Sequence, residues 1–139
     1  MTIQPITSST TLTADKPWLV GLHGTDSTET VTLDITKLTP NIHYQASTNS
    51  QQPYSRVLSG VPVGRITASG LYGAFDPTAA DGRQVLAGVV NAEALFAPTA
   101  TRVPASLLWH GVVRAARVPG GIDPTKVTPT STGAQIRFV

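Results

Sequence analysis

The chain of 139 residues contains no cysteine. That absence excludes a disulfide framework, a thiolate metal site and a thiol nucleophile. Charge is also scarce: Asp, Glu, Lys and Arg make up 13% of the residues, about half the share of an ordinary soluble domain. Aromatic residues amount to 6% and methionine occurs once. Nowhere do about 18 apolar residues run together, and residues 1–13 carry neither a basic leader nor an apolar run of signal-peptide length. No membrane span or export signal is therefore expected, and synthesis inside the cell is the simpler expectation. Thr, Ser, 12 Gly and 11 Pro fill the gap. This mixture excludes a long helical bundle and predicts short strands joined by Pro and Gly turns.

The net charge is +2, and its distribution is uneven. Lys16 and Lys37 face Asp15, Asp26, Glu29 and Asp34 in residues 1–50, a net −2, and residues 51–99 balance. Residues 100–139 reach +4 through Arg102, Arg114, Arg117, Lys126 and Arg137 against Asp123. An acidic front and a basic tail suit mutual attraction within or between copies. A nucleic-acid surface would want an aromatic stacking platform among those cations. None is present, so no direct nucleic-acid partner is expected.

Residues 1–16 (MTIQPITSSTTLTADK) show no helical period and contain Pro5 as a breaker. They read as an extended arm with a reach of up to about 50 Å. From Pro17 the chain enters short strands, first Trp18–Leu22, then Val31, Leu33 and Ile35 alternating with polar residues at the period of a half-buried strand. The polar loop Ala46–Pro53 suggests a boundary between front strands at 17–53, a possible clamp extension, and a main domain at 54–139. Within the latter, Val61–Thr67 predicts a strand with Pro62 at an edge or bulge. Leu71–Phe75 is the next strand, and Asp76–Gly82 is a loop of strong turn residues. Gln84–Val90 is apolar on both faces and predicts a strand buried mid-domain. Pro104–Val118 is long enough for a helix, but Gly111 followed by Val112 and Val113 favours strand. Ala134–Val139 reads as a docked terminal strand.

Catalytic signatures are absent: there is no G-x-S-x-G elbow, phosphate loop or dinucleotide fingerprint. His23, His43 and His110 lie far apart in sequence, and a metal site from them would need tertiary convergence plus a carboxylate such as Asp26. The loop Gly21–Asp26 places His23 near Asp26, but no positioned nucleophile accompanies it. The expectation is a protein that is not an enzyme and holds no cofactor and no metal. What remains is surface. Trp18 and Trp109 either fill the core, which is the default, or anchor an interface. Arg114 and Arg117 either clasp carboxylates of a neighbouring chain or lie solvated on an edge strand.

The order Val61–Tyr72 (VPVGRITASGLY), then Phe75–Val90 (FDPTAADGRQVLAGVV), with LLWHGVVRAARVPGG and a terminal strand behind it, resembles the head decoration proteins of tailed phages, the lambda-type protein D family. The resemblance covers roughly residues 54–139 and is stronger in the order of its segments than in any one residue. It implies a mostly β, β-clip-like domain with little helix and an extended N-terminal arm. It also implies a homotrimer on three-fold positions of the expanded capsid, on the outer surface of a virion assembled in the host cytoplasm. The partner is then the major capsid protein, with no membrane involved. Ile3, Gln4, Pro5, Ile6 and Thr7 would form the capsid-contact arm, and Trp18, Trp109, Arg114 and Arg117 the interface anchors. One departure from the family is the segment Lys126–Gly133, where a helix is common but Pro129 forbids a continuous one. The alternative is a β-rich adhesin or carbohydrate-binding module on a virion or cell surface, with Trp18, Tyr44, Tyr54 and Tyr72 as a platform.

Overall fold

A computed structural model describes residues 15–47, 54–128 and 133–139. The protein is mostly β, and its only helical pieces among these residues are three single 3₁₀ turns, at Ile35–Lys37, Ala115–Arg117 and Pro124–Lys126. The strands are β1 (Glu29–Asp34), β2 (Tyr44–Gln45), β3 (Ser55–Val57), β4 (Pro62–Arg65), β5 (Tyr72–Ala74), β6 (Gly88–Val90), β7 (Ala94–Phe96), β8 (Arg102–Leu108), β9 (His110–Val113) and β10 (Gln135–Phe138).

Five of them close a barrel in the order β1-β5-β4-β6-β8. Closure removes the exposed edges that short strands otherwise present. β1 pairs antiparallel with β8 along all six of its residues, from Glu29 opposite Leu107 to Asp34 opposite Arg102. It meets β5 in parallel at Leu33 and Tyr72. The front section therefore supplies a stave of the barrel, and the core continues across the polar loop where a boundary was expected. Val31 and Leu33 point inward as their alternation predicts, and Ile35 stays buried although the chain has already turned into a 3₁₀ turn.

Residues 61–90 supply three adjacent staves, β5, β4 and β6. β4 lies centrally, so Pro62 occupies neither an edge nor a bulge. It opens the strand instead, a position where its missing N–H costs nothing, and its carbonyl accepts from Phe75 N–H at 2.9 Å. The buried strand expected over Gln84–Val90 shortens to β6, all three residues of which are buried. β8 and β9 confirm strand over helix in Pro104–Val118, broken at Trp109, where the chain passes from the barrel to a second sheet. There β10 pairs with β9 in parallel, Gln135 with His110 through Phe138 with Val113. The expected strand Trp18–Leu22 reduces to one antiparallel bridge, Leu19 to Val113. A third sheet, β2-β3-β7, covers the barrel's flank, where Tyr44 meets Phe96 edge to face at 5.5 Å.

Two apolar clusters result. The larger fills the barrel around Leu33, Val61, Val63, Val90 and Leu107. The smaller, beneath β9 and β10, holds Trp18, Val89, Leu108, Val113 and Val118. Three turns share one device. In Asp34-Ile35-Thr36, Asp76-Pro77-Thr78 and Asp123-Pro124-Thr125 a single carboxylate oxygen accepts from both the Thr backbone N–H and the Thr hydroxyl. For Asp76 and Asp123 these bonds hold the carboxyl below its usual range.

His43 closes the turn before β2, its Nδ1 accepting from Thr39 N–H at 2.9 Å. Burial lowers its pKa from the ordinary 6.5. Below about pH 6.5 the unfolded chain therefore binds more protons than the folded one, and stability falls as pH drops through that range. Asp76, Asp81 and Asp123, whose folded pKa values are depressed, lose their contribution only lower, below about pH 4. The denaturation midpoint of the wild type is expected to fall between pH 7 and pH 5, and His43→Ala to flatten that slope. An equal slope in the variant would reject the assignment.

Candidate functional site

Two features stand out on the surface: the root of the N-terminal segment and one mouth of the barrel. At the root, Trp18 is 1% exposed and belongs to the core. Its Nε1–H donates to Ser59 Oγ at 3.2 Å, and Gly60, at φ +86°, lies so close beneath the ring that a Cβ would sit 2.5 Å from it. Trp18 is thus not an interface anchor in the folded chain. The backbone around it is stitched to β9: Val20 N–H donates to Val112 O at 3.2 Å and Arg114 N–H to Trp18 O at 2.6 Å. The end of the chain joins the same seam, with Val139 N–H donating to Val113 O at 3.0 Å and Ala115 N–H to Val139 O at 3.1 Å.

Around this seam the surface is apolar and cationic. Leu22, towards the His110 end of β9, is 82% exposed, and Val20 and Val139, on the seam itself, are 43% and 57% exposed. Arg114 and Arg117 are exposed beside them and, among the described residues, form no ion pair with an acidic side chain. The arm residues Ile3, Gln4, Pro5, Ile6 and Thr7 lie outside the described residues.

Trp109 is at the other end of β9 and so does not share a patch with Arg114 and Arg117. It walls a cleft of about 640 Å³ at the barrel mouth, together with Tyr72, Arg65, Glu29, Gln84 and Gln135. Its Nε1–H donates to Ser27 O at 2.6 Å, which fixes the ring. On its far side the indole stacks on His110, centroids 5.4 Å apart and planes at 29°. His110 in turn meets His23, Nε2 to Nε2 at 3.3 Å.

Convergence of two histidines separated by 87 positions is what the sequence left unread. Its cause is steric. Gly24, at φ +84°, presses on the His110 carbonyl so closely that a Cβ there would overlap it, and a Cβ on Gly111 would lie 2.9 Å from the His23 carbonyl. Two side-chain-free residues let the two segments meet backbone to backbone, which carries the neighbouring imidazoles together. The signal was present as a repeated dipeptide, His23-Gly24 and His110-Gly111. Asp26, the carboxylate expected to accompany His23, is exposed, and among the described residues no group of three or more metal-ligating side chains occurs.

Of the aromatic platform, Trp18 is buried, Tyr44 packs against the core and Tyr54 is exposed, while Tyr72 lines the cleft. No helix among the described residues is long and apolar enough to cross a membrane. No family model matches the chain, and no curated protein matches it. Fold and site define a small, mostly β protein with a closed five-stranded barrel, an apolar and cationic seam at one end of β9 and an aromatic cleft at the other.

Proposed function

We propose that the protein is a capsid decoration protein, which seats as a trimer on three-fold positions of the outer surface of an expanded phage head and cements the shell against internal DNA pressure. The observation that carries this reading is the seam at the arm root. Exposed Val20 and Val139 lie with Arg114 and Arg117 along the seam where the Thr- and Ser-rich segment 1–14 joins the body. Exposed apolar residues in one place mark interaction surfaces, and cations that form no ion pair among the described residues suit carboxylates of a neighbouring chain.

The physics of cementing follows. A shell under pressure fails by separation of its subunits, and a trimer seated across their junction adds binding energy that must be lost before they part. Once one arm engages, the next two bind at high effective concentration, so modest contacts sum to high avidity. An arm that adds a strand to a capsid sheet gains main-chain hydrogen bonds without a strict side-chain code, and Ile3, Pro5 and Ile6 supply apolar grip. The function needs no cofactor and no catalytic step. Mixing the protein with undecorated, expanded capsids should give saturable co-sedimentation. Protein left in the supernatant at every ratio would reject the reading.

A second reading rests on the cleft. Trp109 and Tyr72 with Arg65, Glu29, Gln84 and Gln135 combine aromatic faces with polar groups, the composition a glycan-binding module or adhesin uses. Glycan affinity abolished by Trp109→Ala, without capsid affinity, would favour it over cementing.

A further inference from the structure

The His23–His110 pair lies outside the arm-root surface, and neither the cement nor the adhesin reading uses it. We propose that it is a surface site for a late divalent transition metal of the zinc class, held by the two Nε2 atoms, with the remaining coordination positions open to water or to a ligand from outside the chain.

The separation is the first argument. Two nitrogens bound at about 2.0–2.1 Å to one tetrahedral zinc stand about 3.3–3.4 Å apart, and the two Nε2 atoms are 3.3 Å apart. Ring orientation is the second. A collinear N–H···N bond would hold the ring centres further apart than the nitrogens by nearly a ring diameter. The centroids are only 4.5 Å apart, with planes at 66°, so the two rings do not meet through a collinear N–H···N bond. Rigidity is the third. Gly24 and Gly111 lock the two backbones together, and Trp109, itself tied to Ser27 O, stacks on the His110 ring. Outer contacts of this kind orient metal-binding imidazoles. Access is the fourth, since His23 is exposed and His110 half-buried. Imidazole donors select zinc, copper and nickel over magnesium and calcium.

Titrating the full chain with Zn²⁺ in a calorimeter is expected to show one saturable site per chain, with Cu²⁺ tighter and Mg²⁺ silent. His23→Ala and His110→Ala should each weaken Zn²⁺ binding by about tenfold or more, and His43→Ala should leave it unchanged. Both altered rings lie at the surface, so a circular-dichroism melt serves as the folding control. Gly24→Ala keeps both imidazoles but forces the segments apart, and should also weaken binding. No saturable Zn²⁺ binding, or binding that survives either single histidine substitution, would overturn the proposal.

Discussion

Deleting residues 2–14 should lower affinity for expanded capsids by about 100-fold or more while leaving the body's melting temperature within about 2 °C of the wild type. The deletion ends short of Lys16, whose carbonyl accepts from Leu19 N–H at 3.0 Å and whose Nζ reaches Asn91 Oδ1 at 3.4 Å. Among the described residues, both apolar clusters are built from Trp18 onward. Three arms per trimer act together in the proposed mechanism, and losing all three removes the avidity as well as the single contact. Binding by co-sedimentation and a thermal melt on the same preparation separate the two effects. Undiminished binding would show that the body alone grips the shell, and a collapsed melting temperature would show that the segment belongs to the fold.

The largest effect on stability is expected from Trp18→Ala, a loss of about 3–5 kcal/mol. Small domains hold only about 5–15 kcal/mol in total, so a large share of the fold's stability rests on this ring. Three causes add. The largest side chain of the smaller cluster disappears from between Val89, Leu108, Val113 and Val118. The Ser59 hydroxyl, 8% exposed as a residue, loses the indole donor. Gly60, which has no side chain because the ring occupies that space, is left facing a void that nothing nearby fills. Trp18→Phe keeps most of the ring and should cost roughly 1 kcal/mol for the hydrogen bond plus a smaller packing loss. Urea denaturation midpoints measure both, and a Trp18→Ala protein as stable as wild type would remove Trp18 from the core account.

Where the sequence spoke through periodicity or composition, it was legible. The alternation Val31, Leu33, Ile35 marked an inward face, the apolar run ending at Val90 marked a central strand, and the terminal Ile136–Phe138 pattern marked a docked strand. Each signal is local, because burial on one face or both writes itself into consecutive residues. Closure of the barrel was not legible, since pairing β1 with β8 joins segments some 70 positions apart in numbering and no local pattern encodes register at that range. Pro62 misled for a related reason: whether a proline sits at an edge or at the first residue of a central strand depends on neighbours that the sequence does not name. The His23–His110 contact was hidden in the same way. Spacing rules for metal ligands assume one helix or one loop, whereas here two Gly-flanked segments from distant parts of the chain meet through backbone contact. The cleft wall is not legible in the sequence because Trp109 stands within a few residues of Arg114 and Arg117, and only the course of β9 separates them.

The most direct test of the proposed function is a cryo-electron microscopy reconstruction of undecorated, expanded capsids saturated with the purified protein. The account predicts three-copy knobs at the three-fold positions, with the Val20 and Val139 seam facing the shell and residues 1–14 traced along the major capsid protein. Bare three-fold positions at saturating protein would contradict it.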